Sequence, residues 1–400
     1  MARNTAYLFL ARAANGLTLL LVNVAVSREL GPFSFGVFAF VTTVVLTASF
    51  LADFGLDLLI VREVSQDPAG GRTRLGHVLA LKVLAALATI AVLVFLFSLT
   101  PISPPTERLL WLYCSSLLLT GPMRALWHFA DGFGSFASHA SLWAGENLLK
   151  GAAALAALVI WRNLTAVVLG LIAAEAVALC ATWVWVARRW GPIRFSPDTS
   201  AWISLVRRAA PLAAGSLLSV LYLRLDVVFL EVLRGETAVG LYSAAGKLVE
   251  ALTILPTSLS LVVLAKLAQA ARTTAPFEMI RRYLLLSFGA ALAVAIPLAL
   301  YSQSIITRVY GGEFEDAAVV LRVLSFGIGF LFMLPVLSSS LIALGRDTMN
   351  WLVLLSGSIV CTALHLALIP RFGPLGAAWA TVVSEFSMVS LYGWALWMYR

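Results

Sequence analysis

Charge is what this 400-residue chain has least of: only 12% of its residues are Asp, Glu, Lys or Arg, against 61% apolar. Its mean hydropathy is +0.94. A soluble globular chain carries about a quarter charged residues, so a soluble fold is excluded for want of polar surface to cover the core. The sequence holds three cysteines, Cys114, Cys180 and Cys361, all in apolar runs and far apart. Their odd number and spacing exclude a disulfide framework or a thiolate metal site and leave small core residues. The four histidines, His77, His128, His139 and His365, are scattered and suggest no metal site. No HExxH or GxSxG motif occurs, and no loop is long enough to fold as a domain, which argues against a membrane glycosyltransferase or acyltransferase. Short segments of alternating polarity, the mark of a β-barrel, are also missing.

What is present is long apolar runs. A helix needs about 20 apolar residues to cross a bilayer. Twelve candidates result, at roughly 6–26, 35–60, 75–98, 109–129, 137–160, 164–187, 209–231, 238–264, 283–301, 317–343, 350–369 and 376–398. The expected fold class is an all-α polytopic membrane protein with two six-helix bundles: residues 1–190, a cytoplasmic linker at 191–208, and residues 209–400. "VAVS" at 24–27 could pass for a signal-peptidase site, but the first segment has a counterpart later in the chain and is read as a retained span.

Orientation follows from basic residues in the loops. With the N-terminus in the cytoplasm, inside loops hold fifteen Lys or Arg and outside loops six. Both termini are therefore expected inside, in a cell membrane. The net charge of +8 is mostly this topology signal, and it gives no reason to expect nucleic acid.

The halves echo each other. Gly36-Val37-Phe38-Ala39 aligns with Gly240-Leu241-Tyr242-Ser243 at an offset of 204, and Arg162 and Glu175 match Arg371 and Glu385 at offsets of 209 and 210. Six spans per half make these parallel repeats about an axis along the membrane normal, an arrangement that encloses a cleft and permits rocking.

Leaving aside Glu231 at the last position of the seventh span, fourteen charges lie within the spans, seven of each sign: Arg12, Lys82, Arg124, Lys150, Arg224, Lys247 and Arg322 against Asp53, Asp57, Glu146, Glu175, Asp226, Glu250 and Glu385. Each costs about 2.5–3.5 kcal/mol at the centre of an inserted helix, so they must pair, snorkel or line water. Lys247 and Glu250 are i, i+3 and share a helix face; Glu146 and Lys150 are i, i+4. Asp53 and Asp57 are also i, i+4, and their like charge is a poor structural device unless a cation bridges them. Arg124 and His128 share a face of the fourth span. Structural readings stand beside these: Lys82 and Lys150 near span ends and snorkelling, Glu146 and Lys150 neutralising each other, Asp57 beside Arg62, Arg322 paired with Glu315 or Asp316, and His365 hydrogen-bonded in the interior. Fixed cations, arginine above all, suit a phosphate-bearing ligand.

The stretches "SRELGPFSFGVFAF", "LADFGLDLLIVRE", "RLDVVFL", "VGLYSAAGKLVEALTILP", "YGGEFEDAAVVLRVLSF", "LIALGR" and "LALIPRFGPLGAAWATVVSE", in this order from about residue 3 to 395, resemble the polysaccharide-biosynthesis flippases. These are the O-antigen-type oligosaccharide translocases of the multidrug/oligosaccharidyl-lipid/polysaccharide exporter superfamily. The resemblance implies two bundles in a V with a laterally open central cleft. It implies alternating-access transfer of an undecaprenyl-pyrophosphate-linked oligosaccharide from the cytoplasmic to the outer leaflet. It also puts the charges of spans 1, 2, 7 and 8 in the cleft: Arg12, Asp53, Arg224, Asp226, Lys247 and Glu250. With Arg124 added, the substrate-binding candidates are Arg12, Arg124, Arg224, Asp226, Lys247 and Glu250; Asp53 and Asp57 are the coupling-ion candidates, for Na+ or H+. No other cofactor and no metal is expected. The expected partners are the lipid-linked oligosaccharide, membrane lipid, and the polymerase and glycosyltransferases of the same pathway, with the protein itself a monomer. A cation-coupled multidrug exporter is the alternative; its mark would be a strong acidic cation site with an apolar drug chamber, whereas the near-equal bases and acids within the spans favour an anionic substrate.

Overall fold

The computed structural model describes residues 2–100, 102–195, 198–270 and 276–399, with side-chain environments for all of these except 2–14, 211, 212, 214–224, 254, 261, 262, 265, 268–270 and 276. No strand occurs among them. In hydrocarbon a backbone N–H has no water to bond, and a helix satisfies every such group locally. The helices are α1 (Ala2–Asp53), α2 (Leu56–Gln66), α3 (Gly71–Ser98), α4 (Pro104–Cys114), α5 (Leu117–Gly132), α6 (Phe136–Trp161), α7 (Leu164–Trp190), α8 (Thr199–Arg234), α9 (Glu236–Leu252), α10 (Ile254–Ala270), α11 (Pro276–Leu300), α12 (Ser302–Val309), α13 (Ala317–Ala343), α14 (Asp347–Phe372) and α15 (Pro374–Met398). Nine helical stretches among the described residues are long and apolar enough to cross a membrane. The protein is a multi-pass membrane protein of the all-α class.

The sequence-derived spans map onto these helices with local breaks that hydropathy does not register. The first two spans run together as α1, divided at Gly31, whose φ of 73° and ψ of 178° lie outside the helical range. The second span is not one continuous rod. Phe54 and Gly55 both take positive φ and separate α1 from α2, with Asp53 on one side and Asp57 on the other. The fourth span is α4 plus α5, and the eighth is α9 plus α10.

The repeat has a backbone counterpart. Gly235, at the same offset of 204 from Gly31, takes φ 79° and ψ −179°. Only glycine enters this region without strain, so each junction turns the chain sharply into the next helix.

The chain forms two compact units, residues 1–30 with 40–220, and residues 31–39 with 221–400. In the first, α5 is central and packs against α2, α3, α6 and α7. Its core includes Leu56, Ile60, Val64, Val78, Leu126 and Phe129. In the second, α13 is central and packs against α9, α10, α11, α12, α14 and α15. Its core includes Val336, Leu337, Leu341, Met388 and Tyr392. The fourth span of each half thus holds the equivalent central place. Phe95, Val159, Leu285, Leu300 and Ile359 are exposed on the outer faces. Such surface would be a liability in water and is ordinary against acyl chains.

The two repeat-related glycines touch within the second unit. A Cβ on Gly36 would run into the Glu236 carbonyl and lie 3.0 Å from the Gly240 nitrogen; one on Gly240 would meet the Pro32 carbonyl and lie 3.2 Å from the Gly36 nitrogen. Each glycine meets the carbonyl four residues before the other, a reciprocal contact of the small-residue kind that lets membrane helices approach closely. Gly240→Ala should therefore destabilise the protein by about 1–3 kcal/mol, since a backbone carbonyl cannot rotate away as a side chain can. Thermal unfolding in detergent checks this, and an unchanged midpoint would contradict the close approach.

Candidate functional site

In the first unit the buried charges form a network across four helices. Lys82 on α3 is 1% exposed and places Nζ 2.6 Å from Asp53 Oδ1 and 2.6 Å from Asp57 Oδ1. The like-charged pair is thus bridged by a cation, and Lys82 does not snorkel. The Asp57 N–H also donates to Asp53 Oδ1 at 3.3 Å, across the α1–α2 break. Asp57 Oδ2 faces Arg124 at 3.0 Å and His128 Nε2 at 3.7 Å, both on α5, so its partners are Lys82 and Arg124 rather than Arg62. The Arg124 guanidinium lies 5.5 Å from the centre of the Phe50 ring.

The network extends beyond what sequence spacing indicated. His128 Nδ1 is 3.2 Å from Asp131 Oδ2, and His139 Nδ1, on α6, is 2.7 Å from the same oxygen. Two of the histidines that look scattered in the sequence therefore meet on one carboxylate, because the short turn after α5 folds α6 back beside it. The reading of these histidines as scattered is corrected by that contact. No sequence signal singled out Asp131.

A second bridging lysine holds α6 to α7. Lys150 Nζ lies 2.5 Å from Glu146 and 2.6 Å from Glu175. The i, i+4 pair is as expected from the sequence, but Glu175 is its third member. The repeat counterpart Glu385 is buried with no ion pair among the described residues, so the two glutamates differ in setting.

In the second unit Lys247 Nζ pairs with Glu250 Oε2 at 2.9 Å, on one face of α9 as the spacing predicts. These side chains keep 17% and 38% of their surface, unlike the sealed lysine of α3. Asp226 on α8 accepts from the Tyr242 hydroxyl at 2.6 Å and from the Val227 N–H at 2.8 Å. Tyr242 also lies 3.2 Å from Thr381 Oγ1 on α15. Tyr242 and Thr381 are polar partners that the sequence reading missed, since a tyrosine and a threonine in apolar helices carry no distinguishing pattern. Glu315 accepts from Gln303 at 2.6 Å, and among the described residues no ion pair joins Arg322 to Glu315 or Asp316. His365 Nδ1 lies 2.8 Å from the Cys361 carbonyl, an interior hydrogen bond as expected. The side chains of Arg12 and Arg224 lie outside the described residues.

Outside the spans, the Gly70 N–H and then Arg74, which binds Asp67 at 2.7 Å, lower the Asp67 carboxyl below its ordinary range. Arg208 pairs with Glu63. The first contact closes the turn between α2 and α3, and the second joins α2 to α8.

The comparisons with known proteins agree with this architecture. The family described as polysaccharide biosynthesis protein matches residues 1–265. The capsular polysaccharide biosynthesis protein CapF of Staphylococcus aureus is 25% identical over 186 residues, 46% of this chain and 47% of that protein. The match thus spans about half the length of that curated relative. Among solved structures, the lipid II flippase MurJ in an inward closed conformation aligns over 99% of this chain and 87% of its own, with a TM-score of 0.80 at 13% identity. An inward-facing multidrug resistance transporter of the MATE family, in the MOP superfamily, aligns over 95% of this chain and 93% of its own, with a TM-score of 0.71 at 17% identity. At these identities the likeness establishes a common fold.

Proposed function

The chain belongs to the polysaccharide biosynthesis protein family, and from that premise we propose that it is a flippase for an undecaprenyl-pyrophosphate-linked oligosaccharide. In this reading the protein carries the polar headgroup from the cytoplasmic to the outer leaflet by alternating access. It sits in the plasma membrane with both termini inside and works beside the polymerase and glycosyltransferases of its pathway.

The observation that carries the proposal is the distribution of charge. Asp53 and Asp57 are held by the buried Lys82, and the buried Glu146 and Glu175 by Lys150. A coupling Na+ or H+ would reach Asp53 and Asp57 only in competition with Lys82. The first unit therefore offers few uncommitted carboxylates to a cationic drug. Lys247 in the second unit remains partly exposed and can turn from Glu250 toward a pyrophosphate. Arg224, Arg12 and Arg124 are the further cations assigned to the substrate, with Asp226 and Glu250 as acceptors for sugar hydroxyls. The family match and the capsular relative support a sugar-bearing lipid; the flippase neighbour supports lipid transfer as the motion.

The test is transport in proteoliposomes, with a fluorescent undecaprenyl-pyrophosphate oligosaccharide and a cationic dye run side by side. Transfer of the lipid-linked sugar is the expected result. Movement of the dye alone would overturn the proposal in favour of a drug exporter.

A further inference from the structure

We propose that His128, Asp131 and His139 form a binding site for a divalent late first-row metal ion, Zn2+ being the natural occupant. One ligand atom from each of the three residues lies within 4.8 Å of the others, and Nδ1 of His128 and of His139 both face Asp131 Oδ2. The shorter separations, 2.7 and 3.2 Å, bracket the lower side of the roughly 3.3 Å edge of a tetrahedron with about 2.0 Å bonds. A small rotation of the imidazoles admits the ion. Two imidazoles and one carboxylate are a borderline donor set that selects zinc and its neighbours over magnesium or calcium.

Three further observations set this cluster apart from a chance hydrogen-bonded group. Asp131 is 7% exposed, and its second oxygen, Oδ1, is buried with no hydrogen-bond partner. A cation at the carboxylate supplies the interaction that oxygen lacks. His128 offers Nδ1 to the site while its Nε2 faces Asp57 Oδ2 at 3.7 Å. That separation is too long for a hydrogen bond, so the Asp57 carboxylate acts on the His128 ring as a nearby negative charge. His139 is stacked on Trp127, with ring centres 5.4 Å apart and planes 26° apart, and Trp127 donates its indole N–H to Thr182 at 3.3 Å. The His139 imidazole is therefore oriented before any ion arrives.

Charge points the same way. Among the described residues, Lys82 and Arg124 are the permanent cations that face Asp53, Asp57 and Asp131, leaving one formal negative charge when the imidazoles are neutral. That excess sits at Asp131. The side chains of His128 and His139 keep 27% and 23% of their surface, which leaves a path for the ion and a coordination position for water. A bound ion would join the end of α5 to the start of α6 and, through His128 and Asp57, tie that corner to the buried lysine.

The experiment uses the full chain, purified in detergent with any affinity tag removed and stripped with a chelator. Bound metal is measured after equilibration with Zn2+ alone, the visible absorption after loading with Co2+, and thermal unfolding with and without Zn2+. We expect one equivalent of metal, the d–d bands of a low-coordinate Co2+ site, and a Zn2+-dependent rise in the unfolding midpoint. His139→Ala should lower the affinity at least about 100-fold and abolish the rise, and His128→Gln should do the same. His77→Ala, distant from the cluster in sequence, should bind as the wild type does. Absence of binding by the folded wild-type protein, or binding unchanged in both His139→Ala and His128→Gln, would overturn the assignment.

Discussion

Lys82→Met should destabilise the protein by about 3–5 kcal/mol, because it leaves two buried carboxylates facing each other without the cation between them. Methionine matches the lysine stem in length, so the apolar packing around α3 is largely kept and the loss is electrostatic. The Asp53 and Asp57 side chains are 11% and 6% exposed, too little for water to replace the ammonium. The natural control is the triple variant Lys82→Met with Asp53→Asn and Asp57→Asn. Replacing a whole buried ion group by neutral residues is often close to neutral in stability. Most of the lost stability should therefore return. Thermal unfolding in detergent or nanodiscs reads both variants. If Lys82→Met melts with the wild type, the bridge is not holding α3 to α1 and α2.

The second large effect concerns transport. Lys247→Gln combined with Arg224→Gln should abolish transfer of the lipid-linked oligosaccharide while leaving membrane insertion intact. Lys247 differs from Lys82 in a way that decides this. Its ion-pair partner among the described residues, Glu250, is more than one-third exposed, so the pair contributes little to stability and its loss should be tolerated. A substrate pyrophosphate, by contrast, would lose its charge-assisted hydrogen bonds, which are about twice as strong as neutral ones. Normal transport by the folded double variant would remove both residues from the substrate path. Transport lost together with insertion would instead assign them to folding.

These contrasts mark how far the sequence could be read. The helices were legible because apolar run length is a local property. So was the repeat, whose offset of 204 reappears in the backbone of Gly31 and Gly235 and in the contact between Gly36 and Gly240. The Lys247–Glu250 and Glu146–Lys150 pairs were legible because helical periodicity alone brings them together. The bridge by Lys82 was legible only as a requirement: two like charges one turn apart demand a cation, but nothing in the pattern says which one. The meeting of His128 and His139 on Asp131, and the Tyr242 link between Asp226 and Thr381, left no periodic trace.

What the sequence alone determined is therefore the solvent and the secondary structure: a chain this apolar must sit in lipid, and in lipid its backbone must bond to itself as helices. It also determined that charges within the spans must pair, snorkel or line water, since so many cannot all face hydrocarbon. Tertiary structure decided which charges meet. A lysine on α3 can reach only the carboxylates that neighbouring helices carry to its depth, and that depth is set by breaks such as Phe54–Gly55 and by side-chain packing between helices. Hydropathy averages over both, so the choice of partner is made only when the helices pack.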